Sequence, residues 1–360
     1  MKKVRESNFE LLRCILMFMV VLVHYNLDAM GKAFTYVIPG TLNYYFVYFM
    51  ESLAIIGTNG FVLLTGYFSW KKTSVSLRKP VGLLMYVVAY NVLFYVINLL
   101  IIYEPFSIMK LVSCFIPRNW YITLYIALML ISPFINIIVK QLKEKTYLRM
   151  LGVLFLLCSV WPTVLDIIKA NLGLDLSGMN TVSTSGAGAG AGYTLINFVL
   201  LYMIGAAISK FDLLMYKQRW DIVAYVITSG MICLQQLTIG SGWSYANPLV
   251  IISCVFFFNI FRKLHFTSKI VNIMSGASLG VFLIHTQYFV SNILWSKCHI
   301  EEACKGSLIE LVINMILCCT ITYFMCSFLD MICRRITRPI SQLLDKIKFL
   351  NWSIVDIKEE

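Results

Sequence analysis

The chain has 360 residues, of which 59% are hydrophobic, 14% aromatic and only 13% charged, and its mean hydropathy is +0.78. A water-soluble domain carries about 25% charged residues, so this supply cannot clothe a soluble surface of the same size. The formal net charge of +12 does not point to nucleic acid; in a membrane protein, Lys and Arg collect on the inner loops, and no nucleic-acid partner is expected.

Ten apolar runs of membrane length follow one another at about 8–27, 44–68, 82–103, 121–139, 148–168, 193–209, 221–240, 246–261, 270–295 and 307–333. The basic MKKVR start resembles the head of a secretion signal, but the next run reaches Asn26 without a small-residue cleavage motif, so it reads as a retained first span. Between the third and fourth runs, 106–117 is too short to cross and is expected at the outer interface or re-entering. The glycine- and alanine-rich stretch 181–192 reads as a flexible outer loop. If the N-terminus is inside, the inner segments hold 23 of the 30 Lys and Arg residues, among them Lys71, Lys72, Arg78 and Lys79. The outer loops hold six, and Arg13 sits within the first run. This bias predicts an all-α, polytopic bundle of about ten transmembrane helices, N-in and C-in. Residues 1–333 form the membrane domain and 334–360 a basic inner tail. The tail carries Ile340, Leu343, Leu344 and Ile347 at helical spacing beside Arg338, Lys346 and Lys348, which suits a surface-lying amphipathic helix or an ordinary solvated tail.

Most of the eleven cysteines lie inside apolar runs as small hydrophobic side chains, and none shows zinc-site spacing, so no metal is expected. Cys298 and Cys304 share one short outer loop, where a disulfide between them could form.

Ionisable residues inside a span are costly and therefore informative. The first run holds Glu10, Arg13 and His24. Glu10 and Arg13, three apart, are helix neighbours that can pair. Arg13 and His24 are eleven apart; at ~100° per residue they project from nearly one face, ~16 Å apart along the axis. Arg13 then lies near the inner edge and His24 deep toward the outer side. An acyl-CoA donor has this shape: a polyanionic nucleotide end suited to arginine, and a long thin arm whose thioester a distant histidine could meet. A neutral imidazole there can deprotonate a hydroxyl nucleophile. Spacing alone leaves a second reading open, in which Arg13 snorkels to the headgroups and His24 is a hydrogen-bonded bundle residue.

The run NFELLRCILMFMVVLVHY is similar to the N-terminal signature of the membrane acyltransferase-3 family, an arginine and a histidine separated by ten residues, with Glu10 at the acidic position before the arginine. TNGFVLLTGYF at 58–68, RNWYITLYIALMLISPFIN at 118–136, NFVLLYMIGAAI at 197–208 and SLGVFLIHTQ at 278–287 resemble later family segments. Thr65 stands where the family usually has serine, and Thr286 where it commonly has proline. The resemblance implies a single bundle of ten core helices. It implies acetyl-CoA or another acyl-CoA as cytoplasmic donor and a glycan hydroxyl on the extracytoplasmic side as acceptor. By the same resemblance Arg13 and His24 are expected as the functional pair, with His24 as general base or transient acyl carrier.

Other polar residues are weaker candidates. Glu51 lies near the inferred depth of His24 and could orient the imidazole, contact acceptor hydroxyls or form a local ion pair; His285, at comparable depth, reads as catalytic or acceptor-binding, or as merely structural. Asn59, Trp120, Tyr121 and Tyr125 could line a sugar-sized cavity, although Trp120 and Tyr121 also suit the interfacial aromatic belt. Arg78 and Lys79 could assist the donor phosphates or simply set topology. The expected protein is thus an inner-membrane, multi-pass O-acyltransferase, most simply an O-acetyltransferase, acting on a surface polysaccharide or lipid-linked glycan. The alternative is a glycan transporter or flippase, which would show internal repeats that this sequence lacks.

Overall fold

The structure is a computed structural model that describes residues 6–72, 74–117, 119–174, 192–214, 216–287, 289–352 and 355. Its regular elements are helices: α1 (Asn8–Asn26), α2 (Ala33–Tyr36), α3 (Leu42–Ala54), α4 (Gly57–Ser69), α5 (Arg78–Ile101), α6 (Ile108–Cys114), α7 (Trp120–Gln141), α8 (Glu144–Phe155), α9 (Trp161–Leu172), α10 (Leu195–Lys210), α11 (Gln218–Ile239), α12 (Pro248–Arg262), α13 (Lys269–Gly276), α14 (Ser278–His285), α15 (Ile300–Lys305) and α16 (Leu308–Asp345). Among the described residues, seven helical segments are long and apolar enough to cross a membrane: α1, α3 with α4, α5, α7, α8 through α9, α11, and α16 over Leu308–Thr337. The protein is therefore an all-α, multi-pass membrane protein.

The other three expected spans depart from simple rods. The helices α10 and α12 are apolar but only 16 and 15 residues long, or ~24 Å and ~22 Å against a hydrocarbon core of ~30 Å. The expected continuous span 270–295 is broken into α13, α14 and a π-helical stretch Phe289–Leu294. A π-helical turn also joins α8 to α9 at Leu156–Val160, just before Pro162. Proline has no N–H and crowds the preceding turn, so the ladder shifts there. As expected, 106–117 does not cross: α6 is a seven-residue helix capped by Ser107, and Ile108, Met109 and Val112 lie exposed on it. At the other end α16 runs for 38 residues with a Ser307–Glu310 capping box and continues without interruption past 333. The side chains of Arg338 and Ile340, and the loop 181–191, lie outside the described residues.

The first helix is the wedge of the bundle. It packs against α3, α4, α12, α13, α14 and α16. Its Leu12 and Leu16 enter one apolar core with α4, α11 and α12, while Met17, Val20 and Val21 enter another with α5, α14 and α16. Glycines permit this approach. A Cβ on Gly60 would lie 2.5 Å from Leu16 Cδ2, and one on Gly57 would lie 3.0 Å from the Leu16 carbonyl oxygen. The crossing of α4 with α10 is tighter: a Cβ on Gly66 would lie 2.0 Å from the Tyr202 carbonyl oxygen, and one on Gly205 would lie 2.1 Å from that of Leu63. Lipid offers no hydrophobic drive between helices, so backbone-to-backbone packing of small residues supplies the attraction.

Candidate active site

Arg13, Met17 and Val20 form one stripe on α1, and all three line a cavity of about 380 Å3. The facing walls come from α4 (Thr58, Phe61, Thr65), α7 (Tyr121, Tyr125) and α14 (Ser278, Phe282), with Lys72 from the segment after α4. His24 continues the same stripe one turn beyond Val20.

At the Arg13 end, the guanidinium Nη1 donates to Glu10 Oε1 at 2.7 Å. The other oxygen of this buried carboxylate accepts from Ser275 Oγ at 2.5 Å. Glu10 thus clamps Arg13 between α1 and α13. It lies ~21 Å along the axis from His24, too far to act on the imidazole.

At the far end, His24 Nδ1 lies 2.5 Å from His285 Nε2, and His285 Nδ1 lies 2.6 Å from the Val281 carbonyl oxygen. The ring centroids of the two histidines are 4.7 Å apart, and His285 is fully buried. Bonding capacity assigns the hydrogens. A carbonyl only accepts, so His285 Nδ1 carries the proton. With both rings neutral, His285 Nε2 then accepts from His24 Nδ1–H, which leaves the lone pair on His24 Nε2. One backbone carbonyl thereby fixes the tautomer of a histidine on another helix.

The remaining residues picked out in the sequence are distributed more widely. Tyr121 lines the cavity, its ring 5.6 Å from Phe282. Tyr125 also lines it and exchanges a 2.9 Å hydrogen bond with Thr65. Glu51 is buried and accepts from Asn26 Nδ2 at 2.8 Å, at the end of α1. Asn59 donates to the Tyr245 carbonyl at 2.9 Å. Trp120 packs in an aromatic cluster with Tyr193 and Tyr245, at centroid distances of 4.2 and 5.5 Å. Arg78 is ion-paired with Asp345 and lines a separate cavity with Arg334. Lys79 borders that cavity and also a smaller one of about 170 Å3, which shares Thr65, Ser69, Lys72 and Tyr125 with the Arg13 cavity.

In the sequence Lys72 is only a topology signal, because a Lys-Lys pair after an apolar run is ordinary at an inner boundary. The fold carries it to the same cavity as Arg13. Burial, and then the charge of Lys79, hold its ammonium below the ordinary lysine pKa. Arg13 and Lys72 therefore share one cavity, and Lys79, on the smaller one beside it, repels Lys72. All eleven cysteines are free thiols, so the Cys298–Cys304 bridge that their shared loop would allow is not formed.

The family model described as an acyltransferase domain matches residues 6–329. The chain belongs to the acyltransferase-3 family. No curated protein and no solved structure matches it. The family match spans nearly the whole membrane bundle, so the Arg13–His24 stripe and the late His285 fall within a single acyltransferase domain. This protein is a membrane acyltransferase.

Proposed function

We propose that this acyltransferase moves an acyl group, most simply acetyl, from cytoplasmic acyl-CoA to a hydroxyl of an extracytoplasmic or lipid-linked surface polysaccharide, and that it resides in the cytoplasmic (inner) membrane. The observation that carries the reading is the cavity whose wall on α1 is Arg13, Met17 and Val20, a helix stripe that His24 continues one turn further on. Its cationic mouth suits the phosphates of a coenzyme A donor, with Arg13 clamped by Glu10 and with Lys72 and Lys79 nearby. Its body is mainly apolar and suits a narrow arm. Loop charge places the Arg13 end at the cytoplasm and the His24 end toward the outside.

In this reading the acceptor hydroxyl meets His24 Nε2, whose lone pair takes the hydroxyl proton as the oxygen attacks the thioester carbonyl. The carbon–sulfur bond breaks, and the departing thiolate recovers a proton from the imidazolium. His285 acts through His24 as a positioning residue. Tyr121 and Phe282 wall the reacting end, and Glu51, Asn59 and Trp120 support the acceptor side through the packing described above. Mass analysis of surface glycan from cells with and without the gene tests this function. Loss of one acetyl ester per modified residue is expected on deletion, with return on complementation; unchanged glycan in which no ester is lost contradicts it.

A further inference from the structure

Four thiols, those of Cys298, Cys304, Cys318 and Cys319, lie near the Tyr25 side chain, one residue beyond His24. Among the described residues, no group of three or more His, Cys, Asp or Glu side chains is arranged to hold a metal ion, so this cluster is not a metal site. The thiols differ in environment. Cys304 is buried, and its Sγ turns toward the Ala33 carbonyl oxygen, 4.0 Å away. Cys319 is fully buried within the core that α16 shares with α1. Cys298 is only partly covered and lies in the bend between the π-helical stretch and α15. Cys318 reaches up from α16: its Sγ lies 3.8 Å from the Cys298 carbonyl oxygen and 3.5 Å from Asn314 Oδ1, while the Cys298 Sγ lies 3.3 Å from the Leu294 carbonyl oxygen. The neighbouring Cys318 side chain, the largest influence on Cys298, lowers its thiol below the ordinary cysteine value and favours the nucleophilic thiolate. Asn314 completes the connection, donating to the Cys298 carbonyl at 2.7 Å and accepting from Tyr25 OH at 2.8 Å.

The geometry points to a thiol-oxidation site in which Cys298 and Cys318, rather than the sequence neighbours Cys298 and Cys304, form an intramolecular disulfide when a small disulfide oxidant is supplied. The partly exposed Cys298 thiolate attacks one sulfur of the oxidant and expels the first small thiol. The Cys318 thiol, as thiolate, then attacks the Cys298 sulfur of the mixed disulfide and expels the second. One oxidant disulfide is reduced to two thiols, and two protein thiols become one disulfide. On the orientation drawn from loop charge this end faces outward, where thiols encounter oxidants. The bond would tie the bend at Cys298 to the part of α16 whose Asn314 holds Tyr25, one residue from the proposed base.

The test is treatment of the full-length detergent-solubilised protein with glutathione disulfide, followed by alkylation of the remaining thiols, digestion and mass spectrometry. A linked peptide pair containing Cys298 and Cys318 is expected. Cys304→Ser should retain that link, while Cys318→Ser should lose it and leave Cys298 as a stable glutathione adduct. A Cys298–Cys304 or Cys298–Cys319 link, a persistent glutathione adduct on wild-type Cys298, or unreacted Cys298 overturns the proposal. None of these readouts depends on acyl transfer.

Discussion

Replacing His285 with phenylalanine keeps a ring of similar volume in a fully buried position but removes the acceptor of the His24 Nδ1 proton. The His24 N–H then has no partner on that side, and nothing selects the tautomer with its lone pair on Nε2. A buried donor left unpaired costs roughly 1–3 kcal/mol. If that cost falls on the reactive arrangement, turnover drops by roughly tenfold to a hundredfold, since about 1.4 kcal/mol is tenfold in rate. The assay is steady-state transfer from labelled acetyl-CoA at saturating acceptor. The loss should appear in kcat, while KM for acetyl-CoA stays within about twofold of wild type, because His285 is absent from the Arg13 end of the cavity. His285→Gln should recover much of the rate, because its amide oxygen can accept from His24 Nδ1. Phenylalanine and glutamine variants that are equally slow, and equally lowered in melting temperature, would make His285 a packing residue only. Wild-type turnover in His285→Phe would refute the relay outright.

Other perturbations probe separate parts of the structure. Arg13→Lys keeps the charge but loses the fork that Glu10 holds, so KM for acetyl-CoA should rise roughly tenfold, with a smaller change in kcat, in initial-rate assays. Lys72 contributes to donor binding only while protonated, and its pKa is lowered. Donor affinity is therefore full at low pH and falls as pH rises through that lowered value, before an ordinary lysine would titrate. Equilibrium binding of acetyl-CoA across pH should show this fall in wild type but not in Lys72→Arg, whose guanidinium stays charged. Gly66→Ala and Gly205→Ala each place a Cβ about 2 Å from a backbone carbonyl oxygen, so each should destabilise the α4–α10 crossing by about 3 kcal/mol or more, read as a lower melting temperature in detergent.

The helical, multi-pass architecture was legible because its signal is local. Apolar runs have to be about twenty residues long, and loop charges mark their ends. The first helix was legible in more detail, since eleven residues of regular helix fix the relative direction of Arg13 and His24 without any tertiary information. What could not be read depends on meetings between distant segments. His24 and His285 are 261 positions apart, and the run that carries His285 contains no proline to mark the break between α13 and α14 that aims it. In the sequence Lys72 is a boundary charge, because only the packing of α1 and α4 brings it to the cavity that Arg13 lines. The cysteines show the same limit: proximity in sequence favoured Cys298 with Cys304, whereas the packing of α16 brings Cys318 to Cys298.

The most direct test of the account is acyl transfer from labelled acetyl-CoA to a surface glycan by membrane vesicles carrying wild-type protein or His24→Ala. The account predicts that His24→Ala binds acetyl-CoA with nearly unchanged affinity but transfers at least a hundredfold more slowly, the scale of a lost general base. Transfer at the wild-type rate by His24→Ala would contradict it.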